Sequence, residues 1–375
     1  IGACKPDKYP FQSKVKYNLE QLRPFIHMRA HVDIFASIMR FRSRLVLSFH
    51  DYFHSQGFHH IHTPIITTNN CEGGCETFEV VTNQQQQQQQ SNSSSSEIRS
   101  KFFNKSAYLT ASAQLHLEAM TSTLGKVYTM SPTFRAEKSM TKHHLAEFYM
   151  LEVESIDMNE LDQLIDLAEH MVKEVGKQVL AKFDRQELDQ LYMTSMGSVA
   201  FKRAQKLEKE QSKYFDFLQT IINNESKRFA RISYEEAIEI LNGSKEKSGA
   251  KRLQFGDDFS KEQENSLVDH FNGTPGFIKL YPRSLKPFYM RRNERDERLV
   301  DNFDLLVPKV GEIVGGSLRE HRLDVLKEAM TREKLSVDSY SSYLETKEFG
   351  GMKLGGFGLG VERFMQFLLN IDNIR

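Results

Sequence analysis

Between Tyr128 and Glu154 the chain reads YTMSPTFRAEKSMTKHHLAEFYMLEVE, and its second half alternates. Phe148, Met150, Glu152 and Glu154 fall on one parity, and Tyr149, Leu151 and Val153 on the other. Period-two alternation marks a strand, with each parity on one face of a sheet. A strand before it puts Arg135 and Glu137 on one face, and the polar stretch 138–142 joins the two strands as a hairpin. That hairpin gathers an arginine, a histidine (His144), an aromatic ring and several carboxylates over one patch of sheet. Carboxylates within a run of Tyr, Met, Leu and Val are not ordinary core residues, because a buried unpaired charge is costly or neutralises. The pattern therefore predicts a site as well as a fold.

A chain of 375 residues with 39% apolar content can bury one large core, or one core carrying an inserted second unit. No apolar run approaches the roughly 20 residues that span a bilayer. Net charge is zero, so any nucleic-acid contact must use local basic patches. The chain starts at Ile1 with no leading Met and no targeting peptide, and its start reads as trimmed. Three cysteines (Cys4, Cys71, Cys75) argue for a reducing compartment rather than a disulfide framework. Cys71 and Cys75 with His59, His60 and His62 suggest zinc ligands, but the pair lacks the C-x-x-C spacing.

Residues 1–30 have few periodic apolar positions and read as a linker. Residues 32–54 read as a helix, with Phe35, Ile38, Met39, Leu45, Val46, Phe49, Tyr52 and Phe53 at helical spacing and Gly57 as its cap. A strand through Pro64 follows. Seven glutamines and a serine run over 83–100 cannot pack a core and predict a disordered loop. Tyr108–Ser112 reads as a short strand, and Gln114 opens a helix. Residues 157–180 predict a helix capped by Asp157 with Glu160, its stripe formed by Leu161, Leu164, Ile165, Ala168, Met171, Val172, Val175 and Val179. The stretch 183–275 reads as a helical insertion with a helix over 234–241, and strands resume at Phe277.

The sequence FR-x-E, loop, H-x-x-x-F (Arg135 to Phe148) resembles motif 2 of the class II aminoacyl-tRNA synthetases. Gly57–Ile66, around Pro64, is similar to motif 1, and Gly355-Gly356-Phe357-Gly358-Leu359-Gly360-Val361-Glu362-Arg363 to motif 3. The three motifs stand in order, and the resemblance runs from about Tyr9 to the end. It implies an α+β fold, an antiparallel sheet flanked by helices over 31–375, and a linker at 1–30 leading from an anticodon-binding OB-fold barrel outside this sequence. It also implies a homodimer through the motif 1 region and no membrane partner.

The implied reaction joins an amino acid to ATP and then to a tRNA. It needs positioned cations rather than a nucleophilic side chain, because charge grows on the α-phosphate. By resemblance Arg135 bridges α-phosphate and substrate carboxylate, as a planar guanidinium suits both. Glu137 accepts from the adenine amino group, Phe148 stacks on the ring, and His144 (or His143, one position earlier) reaches the γ-phosphate. Arg363 sits in the first turn of a helix opening at Gly360, whose bare backbone admits a flat ring and whose N-terminus favours phosphate. Asp304, Glu312 and Ser317 match positions that hold Mg²⁺. Glu72 and Gln114 match those for the α-amino group, and Arg319 for the side-chain oxygen.

Four features resemble the asparagine-activating branch rather than the aspartate branch. Leu117 stands where the aspartate branch has lysine, Glu152 where it has Asp, and Cys75 where it has Arg; the run Leu285–Met290 (LKPFYM) is the fourth. The implied tRNA partner is tRNA(Asn). Departures are Met352-Lys353-Leu354 for a usual Pro-His and Glu345-Thr346-Lys347 for a usual Asp-Leu-Arg. Alternatives are aspartate or relaxed specificity, an AMP-forming enzyme that makes asparagine on the same fold, and a non-catalytic tRNA binder, which the retained Arg135, Glu312 and Arg363 disfavour. The glutamine tract and the branch resemblance point first to a mitochondrial setting and second to the cytoplasm.

Overall fold

The computed structural model describes residues 3, 5–12, 15, 17–68, 76–81, 105–138, 144–156, 158–183, 204–224, 226–245, 252–371 and 373. The Gln/Ser tract, Glu72 with Cys71 and Cys75, His143, Asp157 and part of the 183–275 stretch lie outside them.

After a one-turn helix at Leu19–Leu22 the chain enters α1 (Asp33–Ser55), β1 (His59–His60), β2 (Ile66–Thr67), β3 (Tyr108–Leu109) and α2 (Gln114–Leu124). The central hairpin is β4 (Lys126–Phe134) and β5 (Glu147–Ile156), followed by α3 (Leu161–Ala181) and α4 (Ala204–Asn223). Then come β6 (Ala230–Ser233), α5 (Tyr234–Lys245), α6 (Lys261–His270), β7 (Gly276–Lys279), β8 (Asn302–Val307) and β9 (Gly311–Leu318). The chain finishes with α7 (Leu323–Arg332), α8 (Ser341–Glu348), β10 (Leu354–Gly360) and α9 (Val361–Leu369).

Eight strands form one sheet in the order β1-β4-β5-β10-β9-β8-β7-β6, and β2 pairs with β3 separately. The β1·β4 and β6·β7 pairs are parallel, and the five between them antiparallel. This is the expected α+β architecture. β5 lies between β4 and β10, and the register sets Glu154 opposite Gly356 and Glu152 opposite Gly358.

All eight stripe residues expected of α3 are buried. Its cap differs from expectation. The helix starts at Leu161, and Gln163 Oε1 accepts from the backbone N–H groups of Asn159 and Glu160, each at 3.0 Å. In α1 the buried side is carried by Ile34, Phe41, Leu45, Phe49, Tyr52 and Phe53, while Met39 is 46% exposed. Gly57 ends the approach to β1 with φ +76°, and Phe58 N–H returns to the Phe53 carbonyl at 2.9 Å.

The 183–275 stretch is not purely helical. β6 adds an outer strand to the main sheet, and α5 and α6 cover that end with a core of Tyr234, Ala237, Leu267, Ile278 and Tyr281. A third core joins Phe288, Leu326, Met330, Tyr340, Tyr343 and Leu344, fixing α7 and α8 beside the inner end of the site. No helix among the described residues is long and apolar enough to cross a membrane.

Candidate active site

One face of the sheet carries a cavity of about 470 Å³ over β5, β10 and β9. Phe148, Met150, Glu152 and Glu154, the alternating residues of β5, all line it. Arg135 and Glu137 line it too, although β4 ends at Phe134 and both sit just beyond. Pairing persists there, since Arg135 N–H donates to the Ala146 carbonyl at 3.0 Å.

At the outer end the Arg135 guanidinium lies 5.5 Å from the centre of the Phe148 ring. Glu137 and His144 face each other at 3.9 Å. Arg363, in the first turn of α9, donates to the Glu312 carbonyl at 3.0 Å. Gly358 and Gly360 line the cavity with bare strand backbone, Gly358 beside Met150 and Glu152 and Gly360 beside Arg363. This end offers an aromatic face, two guanidinium groups and a helix N-terminus, a combination suited to a planar base carrying phosphates.

Midway stand two carboxylates, Asp304 and Glu312. A Cβ on Gly315 would sit 2.9 Å from Glu312 Oε1 and 3.5 Å from Asp304 Oδ1, so both groups border the space that this glycine leaves open. Burial pushes the Asp304 carboxyl up to about 6, with Glu312 adding to it against the pull of Lys286. Two hard oxygen donors with room for phosphate oxygens fit Mg²⁺. Among the described residues no cluster of three or more His, Cys, Asp or Glu is placed to hold a metal. Ser317 does not join the carboxylate pair: it is fully buried off the cavity wall, and its hydroxyl accepts from Arg319 Nη1 at 2.7 Å.

The inner end is built around Arg319, 4% exposed. Its Nε donates to both Glu154 oxygens, at 3.1 and 3.2 Å, and its Nη2 to Glu154 Oε1. Glu152 accepts from the Ser112 hydroxyl and, at 2.8 Å, from the Ala113 N–H. Leu117 is fully buried and does not line the cavity. Burial pushes the Glu154 carboxyl up to about 7, and Glu118 raises it further while Arg319 pulls it down. Carboxylates at the inner end thus compete for the available cations, and a further negative charge there is disfavoured. Gln114 lines the cavity as expected, and its Nε2 donates to Glu118 at 2.9 Å.

Sequence reasoning missed four contributors. Lys286 donates to Asp304 at 2.6 Å from within the quoted run 285–290, where a lysine in a turn reads as solvated. Lys347, standing where the family usually has an arginine, is buried against Glu118 behind Gln114, and nothing local in the sequence pairs the two. Glu264 of α6 lies where Glu312 and Arg363 affect its charge, and burial followed by Glu312 pushes its carboxyl up to about 7.

The family profile described as tRNA synthetases class II (D, K and N) matches residues 20–375. The chain is 39% identical to the asparaginyl-tRNA synthetase of Mus musculus, over all of this chain and 72% of that protein. It is 37% identical to the probable mitochondrial asparagine–tRNA ligase of Dictyostelium discoideum, over all of this chain and 74% of that protein. The crystal structure of asparaginyl-tRNA synthetase from Pyrococcus horikoshii complexed with asparaginyl-adenylate superposes with a TM-score of 0.78 at 31% identity, covering 98% of this chain and 73% of that one.

Proposed function

This chain belongs to the class II tRNA synthetases (D, K and N), and on that premise we propose that it activates L-asparagine with ATP and passes the asparaginyl group to tRNA(Asn). The observation that carries the choice of amino acid is the charge around Arg319. Two buried cations, Arg319 and Lys347, face three buried carboxylates, Glu118, Glu152 and Glu154. A ligand carboxylate would add negative charge to an enclosed site where carboxylates already outnumber cations, whereas a neutral amide adds none. The amide also offers an oxygen to Arg319 and N–H donors to Glu152. Sites whose buried polar groups match one ligand reject the mismatched one by as much as ~10⁴–10⁵-fold.

In the reaction an oxygen of the asparagine carboxylate attacks the α-phosphorus of ATP, and the bond to the pyrophosphate oxygen breaks. Phe148 stacks on the adenine and Glu137 accepts from its amino group. Arg135 holds the substrate carboxylate against the α-phosphate and stabilises the charge growing there. His144 and Arg363 hold the outer phosphates. Glu72 and Gln114 orient the α-amino group. Mg²⁺ held by Asp304 and Glu312 would supply charge neutralisation on the phosphates. The 3′-terminal ribose of the tRNA then attacks the adenylate carbonyl, and AMP leaves.

A homodimer through α1 and β1 completes the reading. It is supported by the open outer edge of β1 and by Met39 and Leu47 (57% exposed) on α1. Light scattering of the protein at micromolar concentration tests it, with a monomer mass as the contrary result. Similarity to the Dictyostelium protein supports a mitochondrial setting, with the cytoplasm as the alternative. The deciding experiment for the activity is ATP–pyrophosphate exchange with asparagine, with aspartate, and with neither. Exchange dependent on asparagine is expected. Exchange dependent on aspartate would overturn the choice of amino acid, and ammonia-dependent formation of asparagine would replace the reaction altogether.

A further inference from the structure

Behind the inner end of the cavity lies a polar cluster that the reaction itself does not use. Its centre is Glu118 on α2, 2% exposed, against Lys347 on α8, 6% exposed. Lys347 Nζ donates to Glu118 Oε2 at 2.7 Å, and the Tyr343 hydroxyl donates to the same oxygen at 3.1 Å. Gln114 Nε2 donates to Glu118 Oε1 at 2.9 Å, and Arg319 Nε stands 3.9 Å from that oxygen. One carboxylate thus touches both a residue of the cavity wall and the guanidinium at its inner end, while neither Glu118 nor Lys347 lines the cavity. Burial disfavours its charge, but Lys347 and Arg319 hold the Glu118 carboxyl below its ordinary value, so it is ionised at neutral pH.

Two consequences follow from these contacts. With Nε2 committed to Glu118, Gln114 keeps its oxygen as the group available to a ligand ammonium. The Glu118 charge also opposes the field of Arg319, and Lys347 sets how much of that charge remains uncompensated. In a buried cluster such charges are weakly screened and act on a ligand a few ångströms away.

We propose that Glu118 and Lys347 form a charge-setting pair that decides between a neutral and an anionic amino-acid side chain, acting through Arg319 and Gln114 without touching the substrate. The inference rests on the asparagine reading of the site. It assigns the two residues opposite signs: Glu118 excludes a carboxylate, and Lys347 limits that exclusion so that Arg319 still binds an amide oxygen.

The test is ATP–pyrophosphate exchange with asparagine and aspartate on Glu118→Gln, Lys347→Met, Lys347→Arg and the double variant Glu118→Gln/Lys347→Met, each checked by thermal melting. Glu118→Gln keeps shape and removes one negative charge, so the aspartate-to-asparagine ratio of kcat/KM rises by about tenfold or more. Lys347→Met moves that ratio down and raises KM for asparagine more than it lowers kcat. Lys347→Arg keeps the charge and the parent ratio. The double variant brings the ratio back from that of Glu118→Gln toward the parent value. A merely structural tether would weaken both substrates together, and an unchanged ratio, or single variants shifting it the same way, overturns the proposal. Lys347→Met leaves a buried carboxylate without its partner and is the variant most exposed to misfolding. Glu118→Gln against the double variant then decides the matter, because these differ by the Lys347 charge alone. Absence of asparagine-dependent exchange in the parent protein sinks the asparagine reading instead, which separates the two failures.

Discussion

Replacing Gly356 by alanine tests how the strand pairing builds the inner end of the site. Gly356 faces Glu154 across the β5–β10 pair. A Cβ there would fall inside contact distance of Glu154 Oε1, Glu154 Cδ and the Val153 carbonyl oxygen. The Val153 oxygen is strand backbone and cannot yield without opening the ladder, so the carboxylate must move, and moving it breaks its bonds to Arg319. Breaking a buried ion pair costs about 3–5 kcal/mol. Gly356→Ala should therefore lose about 3 kcal/mol or more in urea unfolding. Asparagine-dependent kcat/KM should fall on the order of a hundredfold, the equivalent of that energy. Gly358→Ala, two residues along the same strand, is the control. Its Cβ would meet Met150 Sδ at 3.2 Å, the end of a flexible side chain, and should cost less than about 1.5 kcal/mol. Equal stability of the two variants would refute the argument that Gly356 is required by the Glu154–Arg319 pair.

Arg135→Gln should leave the melting temperature within a few degrees of the parent and lower kcat for exchange by about 10²–10³-fold, as for other groups aimed at transition-state charge; a loss confined to KM would assign Arg135 to ground-state binding. Glu152→Asp with Leu117→Lys should raise the aspartate-to-asparagine ratio, and no change would remove these two positions from the specificity argument. Glu264 gives a pH signature. Its folded value of about 7 lies above the 4.5 of an ordinary glutamate, so between these pH values the unfolded chain has released its proton while the folded protein still holds one. Stability from this group is thus full below pH 4.5 and is lost as pH rises to 7, a decline of up to about 3 kcal/mol. In EDTA, Glu264→Gln should equal the parent at pH 4.5 and exceed it at pH 8, and parallel pH profiles would contradict that.

Local pattern made much of the molecule legible. The alternation of Phe148, Met150, Glu152 and Glu154 put four side chains on one face of β5, and all four line the cavity, because pleat geometry is a property of the strand itself. The stripe of α3 was readable for the same reason at a period of 3.6. Motifs 2 and 3 located Arg135 and Arg363 along the chain, and the wider family resemblance located Glu312. Local pattern was weaker where neighbours decide. Met39 and Phe41 both suit a helix, but tertiary packing makes Phe41 the buried one, within the main core and against Phe183. Polar composition hid β6, whose place at the sheet edge is set by its parallel pairing with β7.

The sequence by itself determined the elements, the α+β class and the residue types brought to the site, since periodicity and motif spacing are local quantities. The tertiary structure alone decided which charges meet. Arg319 reaches Glu154 because β10 inserts between β5 and β9, setting Gly356 against both Glu154 and Ser317. Lys347 reaches Glu118 because the Phe288–Tyr343 core holds α8 against α2. Opposite charges attract without regard to sequence separation, so their pairing is written only in the packing that makes them neighbours.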